Sequence, residues 1–332
     1  MSALTDSGLW TTMANASLYQ STLREATPLS LAAVGAVISE RSGVVNIAME
    51  GMMLTGAFFA VFADVHLHNA ALGLLAAMVA GGLMAAIHGY SAVWLRANQI
   101  VSGMAINLLA LGLTSYLAFS VYGTNGPPVA CVPPVPCIGD QVRTIPDWSI
   151  PGLSGIPGVG KVLFQQNPIF YLMILLVVLI QVFLFRTTLG LRVRAAGEHP
   201  RAADTAGIHV LRLRFLSVLP SGILSGLAGG YLALAISGTF SDNMTSGRGF
   251  IALAAMIFGK WNPFGAFGAC LLFGFGQALY DNLQNTTGPL QDYSTLVATL
   301  PYVLTIVALA GFIGRAVPPA ADGIPYDPAS NA

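Results

Sequence analysis

Few side chains in this chain could do chemistry, and they are scattered along apolar runs. Asn46 and Glu50 stand four residues apart between Val44 and Ala63, which on a helix puts them on one face. Asn107 interrupts the apolar run from Ile100 to Tyr122, and Gln277 and Asp281 repeat the four-residue spacing between Phe264 and Leu283. A carboxyl group in such a run is costly in lipid and turns toward a bundle interior or a wet cavity. Two uses of Glu50 stay open. With Asn46 it lines a path for a polar solute, or it fixes a broken helix or pairs with an arginine such as Arg41. Asn107 and Gln277 are further candidates for the path, while Asp281 falls near the end of its run, where it can stay solvated. Phe58, Phe250 and Phe275 could stack on a flat ring, although membrane phenylalanines more often pack or face lipid.

The remaining chemistry is defined by what is missing. There is no Gly-x-x-x-x-Gly-Lys-Ser/Thr phosphate loop, so the chain is not expected to bind ATP itself. His66, His68, His88, His199 and His209 are dispersed, with no ligand set for a metal and no nucleophile constellation. Neither an enzyme nor a metal protein is indicated, and no cofactor is expected on this chain. Cys131 and Cys137, in CVPPVPC, are separated by five residues and could close a small disulfide loop if they face an oxidising compartment. Cys270, in the middle of a run, reads as a small apolar residue.

One stretch is strongly charged. Between Phe185 and Phe215 lie six of the 14 basic residues: Arg186, Arg192, Arg194, Arg201, Arg212 and Arg214. Its middle reads as a short helix, with Pro200 at the first position, Arg201 to Ala206 continuing it and Gly207 as the left-handed stop. Arg201 and Asp204, three apart, can present charge to a partner. A basic loop of this kind between two spans belongs on the cytoplasmic side.

Those residues must be positioned by membrane helices. The chain is 55% hydrophobic and 8% charged, against about 25% charged in soluble domains, so it is an all-α polytopic transmembrane bundle. Its net charge is zero, and no nucleic acid is expected as a partner. No basic n-region precedes the first span. The runs place a tail at 1–16, a transmembrane domain at 17–313 and a polar, disordered tail at 314–332. Within the domain lie a Pro/Gly-rich outer loop at 123–167 and the basic loop at 186–214. About 8–10 spans are expected, nine in the simplest layout. The segment Gly249 to Gly259 is too short to cross unaided and reads as re-entrant or broken. With the basic loop inside, Arg41, Arg96, Lys260 and Arg315 join its six arginines, leaving Arg24, Arg143, Lys161 and Arg248 outside. The N-terminus is then outside and the C-terminus cytoplasmic, in the cell membrane. Gly222, Gly226 and Gly230 recur every fourth residue, a spacing that lets two helix backbones approach closely in lipid. A weak echo links Ile47-Ala48-Met49 and Met52 with Ile251-Ala252-Leu253 and Met256, as paired segments of inverted repeats would.

Two of these stretches carry a family resemblance. Gly197-Glu198-His199-Pro200-Arg201-Ala202-Ala203 followed by Gly207-Ile208 resembles the ATPase-coupling loop of ABC importer permeases of the ribose/branched-chain amino acid type. The family more often has Asn where this chain has His199. Ser39-Glu40-Arg41-Ser42-Gly43-Val44, Asn46-Ile47 and Glu50-Gly51-Met52 resemble the bacterial nucleoside (simple sugar) branch, with Ala48 where Gly is usual. Asn98 to Gly103 and Ala252 to Pro263 fit the same branch. The resemblance implies a permease forming half of a pathway, with Glu198, His199, Pro200, Arg201, Asp204 and Gly207 meeting a cytoplasmic ABC ATPase that holds the ATP. It implies a second related permease and an extracytoplasmic solute-binding protein as partners, and nucleosides as cargo, with simple sugars the alternative. A stand-alone secondary transporter or channel is the reading from a different class.

Overall fold

A computed structural model of the chain describes residues 16–123, 130–131, 141–152, 154, 156, 159–284, 299, 303 and 316–328. Apart from Thr299 and Val303, the expected last span, Thr295 to Ile313, lies outside the described residues, as do Cys137 and the side chain of Cys131. The bundle is all-α and polytopic. Its only strands among the described residues are two short ladders in the 123–167 loop. β1 (Ala130–Cys131) pairs in parallel with β2 (Val142–Arg143), and β3 (Trp148–Ser149) pairs antiparallel with β4 (Gln165–Gln166).

The helix α1 (Ala16–Arg41) is the axis of the bundle, buried continuously from Glu25 to Glu40. Its hydroxyls can be hidden because Thr22, Thr27 and Ser30 each donate to the carbonyl four residues back, at 2.8, 2.7 and 2.7 Å. Next in the chain come α2 (Met49–Leu67), α3 (Ala70–Val93) and α4 (Gln99–Tyr122). The short α5 (Val159–Phe164) leads into α6 (Pro168–Arg186). Then come α7 (Thr188–Glu198), α8 (Pro200–Thr205) and α9 (Val210–Tyr231), the last running on as a π-helical stretch, Leu232–Ser237. The short α10 (Arg248–Phe258) and α11 (Pro263–Gln284) complete the set. Asn69, Asn98 and Asn167 cap α3, α4 and α6, each accepting from backbone N–H groups of the first turn. Six of these helices are long and apolar enough to cross a membrane: α2, α3, α4, α6, α9 with its π extension, and α11. At 11 residues α10 is too short to do so alone.

The glycine ladder does what its spacing predicts. A Cβ on Gly222 or Gly226 would run into the backbone carbonyls of Gly81 and Ala77 on α3, and one on Gly230 would come within 2.9 Å of the Ala77 Cβ. Gly56 of α2 abuts Gly226 from a second side. Three helices therefore meet backbone to backbone, which supplies the dispersion contacts that hold helices together in lipid.

Three expectations change. Residues 42–48 are not helical, so Asn46 and Glu50 do not share a helix face. Gly43, at φ 92°, turns the chain where α1 ends. The irregular backbone that follows is satisfied by side chains: Gln99 accepts from the Val45 N–H at 2.7 Å, and a His88 ring nitrogen lies 3.0 Å from the Val45 carbonyl. The basic loop carries two helices, α7 as well as α8. Finally, residues 316–328 of the tail expected to be disordered are folded against the bundle, with Ala321 and Tyr326 buried. Polar composition favoured disorder, but these residues satisfy backbone groups of α7 and a buried arginine, as described below.

Candidate functional site

Glu50 lies in the first turn of α2 and is 8% exposed. Its carboxyl group bridges to the start of α10. Oε1 accepts from Thr245 Oγ1 at 2.6 Å and the Gly247 N–H at 2.8 Å, and Oε2 accepts from the Gly249 N–H at 2.7 Å. A carboxylate thus caps one broken helix while standing in the first turn of another, where unpaired N–H groups and the helix dipole both favour negative charge. Gly249 allows this approach, since a Cβ there would sit 2.5 Å from the Glu50 nitrogen. The segments that echo each other in sequence, 47–52 and 251–256, therefore open from the same point.

Asn107 fastens the other side of this turn. Its Oδ1 accepts from the Gly51 N–H at 2.8 Å and its Nδ2 donates to the Ile47 carbonyl at 3.0 Å. Glu50 and Asn107 line a pocket of about 340 Å³ with Met104, Leu108, Asn243 and Phe250. Asn46 is fully buried behind it, donating to Ser221 Oγ at 2.7 Å and accepting from the Ala48 N–H at 3.1 Å. Gln277 is on α11 and donates to Asp281 at 3.1 Å; neither lines this pocket. The structure brings together two of the four proposed path residues. Thr245 and Asn243 were missed. Their only signal is the polar, glycine-containing stretch SGTFSDNMTSG that interrupts the apolar runs. Cys270 is buried.

The second site is at one end of the bundle. Pro200 occupies the first turn of α8, His199 makes no side-chain cap, and Gly207 follows at φ 84°, the left-handed stop expected from the sequence. Arg201 and Ala202 are exposed while Ala203 is buried against Ala196, Val210 and Tyr326. Glu198 accepts from the Ala320 N–H at 3.1 Å, and Asp204 accepts from the Tyr326 hydroxyl at 2.9 Å. A cleft of about 430 Å³ separates His199–Ala202 from Ile324–Asp327. Gly197, the last residue but one of α7, presses on the Arg41 carbonyl and the Gly43 nitrogen, where α1 breaks.

Charge divides between the two ends. Arg41 donates to the Trp261 carbonyl at 2.8 Å, and its guanidinium and that of Arg194 lie over the Phe185 ring, 5.5 and 5.0 Å from its centroid. Roughly 25 Å away along α1, Arg24 donates to the Ala235 carbonyl and Glu25 pairs with Arg248 at 3.3 Å. Arg143 lies near Asp64, which accepts from its backbone N–H at 2.6 Å. Arg41 and Arg194 thus lie near one end of α1, and Arg24 and Arg248 near the other.

Comparison with known proteins adds relatives. Residues 18–309 match the family model described as the permease component of branched-chain amino acid transport systems. The chain is 46% identical to the guanosine ABC transporter permease protein NupQ of Bacillus subtilis, covering 93% of this chain and 96% of that one. It is 40% identical to the nucleoside ABC transporter permease protein NupC of Lactococcus lactis, over 90% and 93% of the two chains. It is 34% identical to a putative glucose ABC transporter permease protein, TsgC13, of Haloferax volcanii, over 88% and 85%.

Proposed function

We propose, from the premise that the chain belongs to the branched-chain amino acid transport permease family, that it is the membrane subunit of an ATP-driven importer of nucleosides. The observation that carries this is the 46% identity to a guanosine permease along nearly the whole of both chains. The pocket fits the reading. It is mostly apolar, with two amides and a carboxylate, and Phe250, 45% exposed, offers a face for a base. At about 340 Å³ it lies at the small end of the roughly 300–1,000 Å³ typical of small-molecule sites.

In this reading Glu50 and Asn107 line the path, Asn46 supports its wall from behind, and Gln277 with Asp281 lies farther along α11. The path holds solute loosely, because an extracytoplasmic binding protein sets affinity and a tight site would slow release. A second, related permease supplies the other half. A cytoplasmic ATPase meets Glu198 to Gly207 and binds the ATP, so the bundle's coupling end is cytoplasmic and the N-terminus outside. Movement of α7–α8 reaches the break between α1 and α2 through Gly197 and the Arg41–Gly43 turn, and that break leads into the turn that bears Glu50. A disulfide between Cys131 and Cys137 would fit the same orientation.

A sugar permease is the second reading, favoured by the similarity to TsgC13. A gradient-driven carrier is not supported by Glu50, whose oxygens are both engaged in capping α10. Cells lacking the chain should lose uptake of labelled guanosine, and unlabelled nucleosides but not glucose should compete in cells that have it. Competition by glucose alone would replace the nucleoside reading with the sugar reading.

A further inference from the structure

Residues 316–328 are folded onto the coupling end, and the proposed function makes no use of them. Their anchor is Arg214, 2% exposed, in the first turns of α9. It donates to three carbonyls from two separate segments: Ile324 at 2.8 Å and Ala321 at 3.4 Å in the tail, and Ala196 of α7 at 3.2 Å. Nη1 and Nη2 carry these bonds and offset the cost of burying the guanidinium, while the buried Nε has no partner among the described residues.

The tail also bonds directly to both coupling helices. The Ala321 N–H donates to the Gly197 carbonyl at 2.8 Å, one of the orphan carbonyls at the end of α7. Its neighbour, the Ala320 N–H, donates to Glu198 at 3.1 Å, and the Tyr326 hydroxyl donates to Asp204 of α8 at 2.9 Å. Asp327 pairs with Arg96 beyond the end of α3 at 2.6 Å. Asp322 faces Glu40 near the end of α1, whose carboxylate accepts from Trp261 Nε1 at 2.6 Å. One short stretch thus touches α1, α7, α8, α9 and the turn after α3, and Ile324 to Asp327 form a wall of the cleft beside α8.

We propose that residues 320–327 are a strap that locks the coupling segment α7–α8 to the membrane helices, with Arg214 as the positioning residue that anchors it. This rests on α7–α8 being the ATPase-coupling element. A six-residue helix is not stable alone, and a push on α8 moves the bundle only if α8 is held rigidly to it. The direct links are His199, the turn at Gly207 and the apolar contact of Ala203 with Ala196 and Val210; the strap adds the polar ties that fix α8 in place. The strap closes α8 to α9 through Tyr326 and Arg214, and to α1 through Asp322, so the push is shared by three helices.

The test is a chain ending at Pro319 and, because it could fail to fold, a mild Tyr326→Phe/Asp327→Asn variant, each purified with its ATPase and partner permease. Hydrogen exchange at 195–206 and ATP-dependent guanosine uptake are both measured. The account expects exchange to rise at least tenfold and uptake to fall at least tenfold in the truncated chain, with a smaller loss of both in the double variant, while the ATPase subunit still co-purifies. Unchanged exchange at 195–206 in either variant, or wild-type uptake by the truncated chain, overturns the strap. Absence of ATP-dependent uptake by the wild-type complex would instead count against the importer reading, and the exchange data would still decide whether the tail holds α7–α8.

Discussion

Replacing Glu50 by glutamine is the most informative small change. The amide keeps the size of the side chain, so a role that is merely steric would accept it. The structure gives a different expectation. Both carboxylate oxygens face donors: Thr245 Oγ1 and the Gly247 N–H at one, the Gly249 N–H at the other. Glutamine must turn its NH₂ toward one of them. If it faces Gly249, one charge-assisted bond is lost and a backbone N–H at the start of α10 is left buried without a partner. Hydrogen bonds to charged groups contribute about 1.5–3 kcal/mol each, and loss of the charge at the helix N-terminus removes roughly 0.3–1 kcal/mol more. Taking about 2 kcal/mol as the minimum, local opening of α10's first turn should become about thirtyfold more frequent. Leucine, which leaves all three donors unpaired, should be worse and should reduce the amount of assembled complex. Hydrogen exchange over 245–258, read beside guanosine uptake and complex yield, measures this. Exchange and uptake at wild-type level in Glu50→Gln would refute the cap.

Three further outcomes follow from the packing. Gly226→Ala puts a methyl group into the Ala77 carbonyl and should cost about 1–3 kcal/mol. It should lower the melting temperature of the complex, whereas Gly112→Ala, with nothing within 4 Å of the new Cβ, should not. Ala203→Glu should lower complex yield as well as transport, because Ala203 faces Ala196 and Tyr326, while Ala202→Glu, on the exposed face, should impair transport with normal yield. Burial pushes the Asp322 carboxyl up to about 7, against the opposing pull of the Glu40 hydrogen bond, the Arg214 charge and the Gly323 N–H. The docked tail therefore holds a proton that the free tail gives up, and docking weakens as pH rises from about 4 to about 7, then levels off above that. Burial raises the Glu40 carboxyl as well, and the two acids titrate as a pair, so protection of 320–327 should fall between pH 6 and pH 8 and Asp322→Asn should reduce the fall.

The spans, the glycine ladder and α8 were legible because each has a local signature: apolar length, a four-residue period, and a helix bounded by Pro200 and Gly207. The chemistry around Glu50 was legible only as a costly group needing a partner. Its partners lie about 200 residues away, in a polar break whose contacts no spacing reveals. Asn46 misled because the four-residue rule presumes a helix, and residues 42–48 are held irregular by His88 and Gln99 from other helices. The C-terminal segment misled for a related reason. Its composition is that of a disordered tail, and its order comes from Arg214, which looked like one more basic residue of a cytoplasmic loop.

The central claim is that solute moves through this chain at the expense of ATP hydrolysed elsewhere. The direct measurement is guanosine uptake into proteoliposomes holding this chain, its partner permease and the ATPase, with binding protein outside and ATP inside. The account predicts accumulation that requires ATP and binding protein and that is lost in the Ala202→Glu variant. Accumulation driven by a proton or sodium gradient without ATP would contradict it.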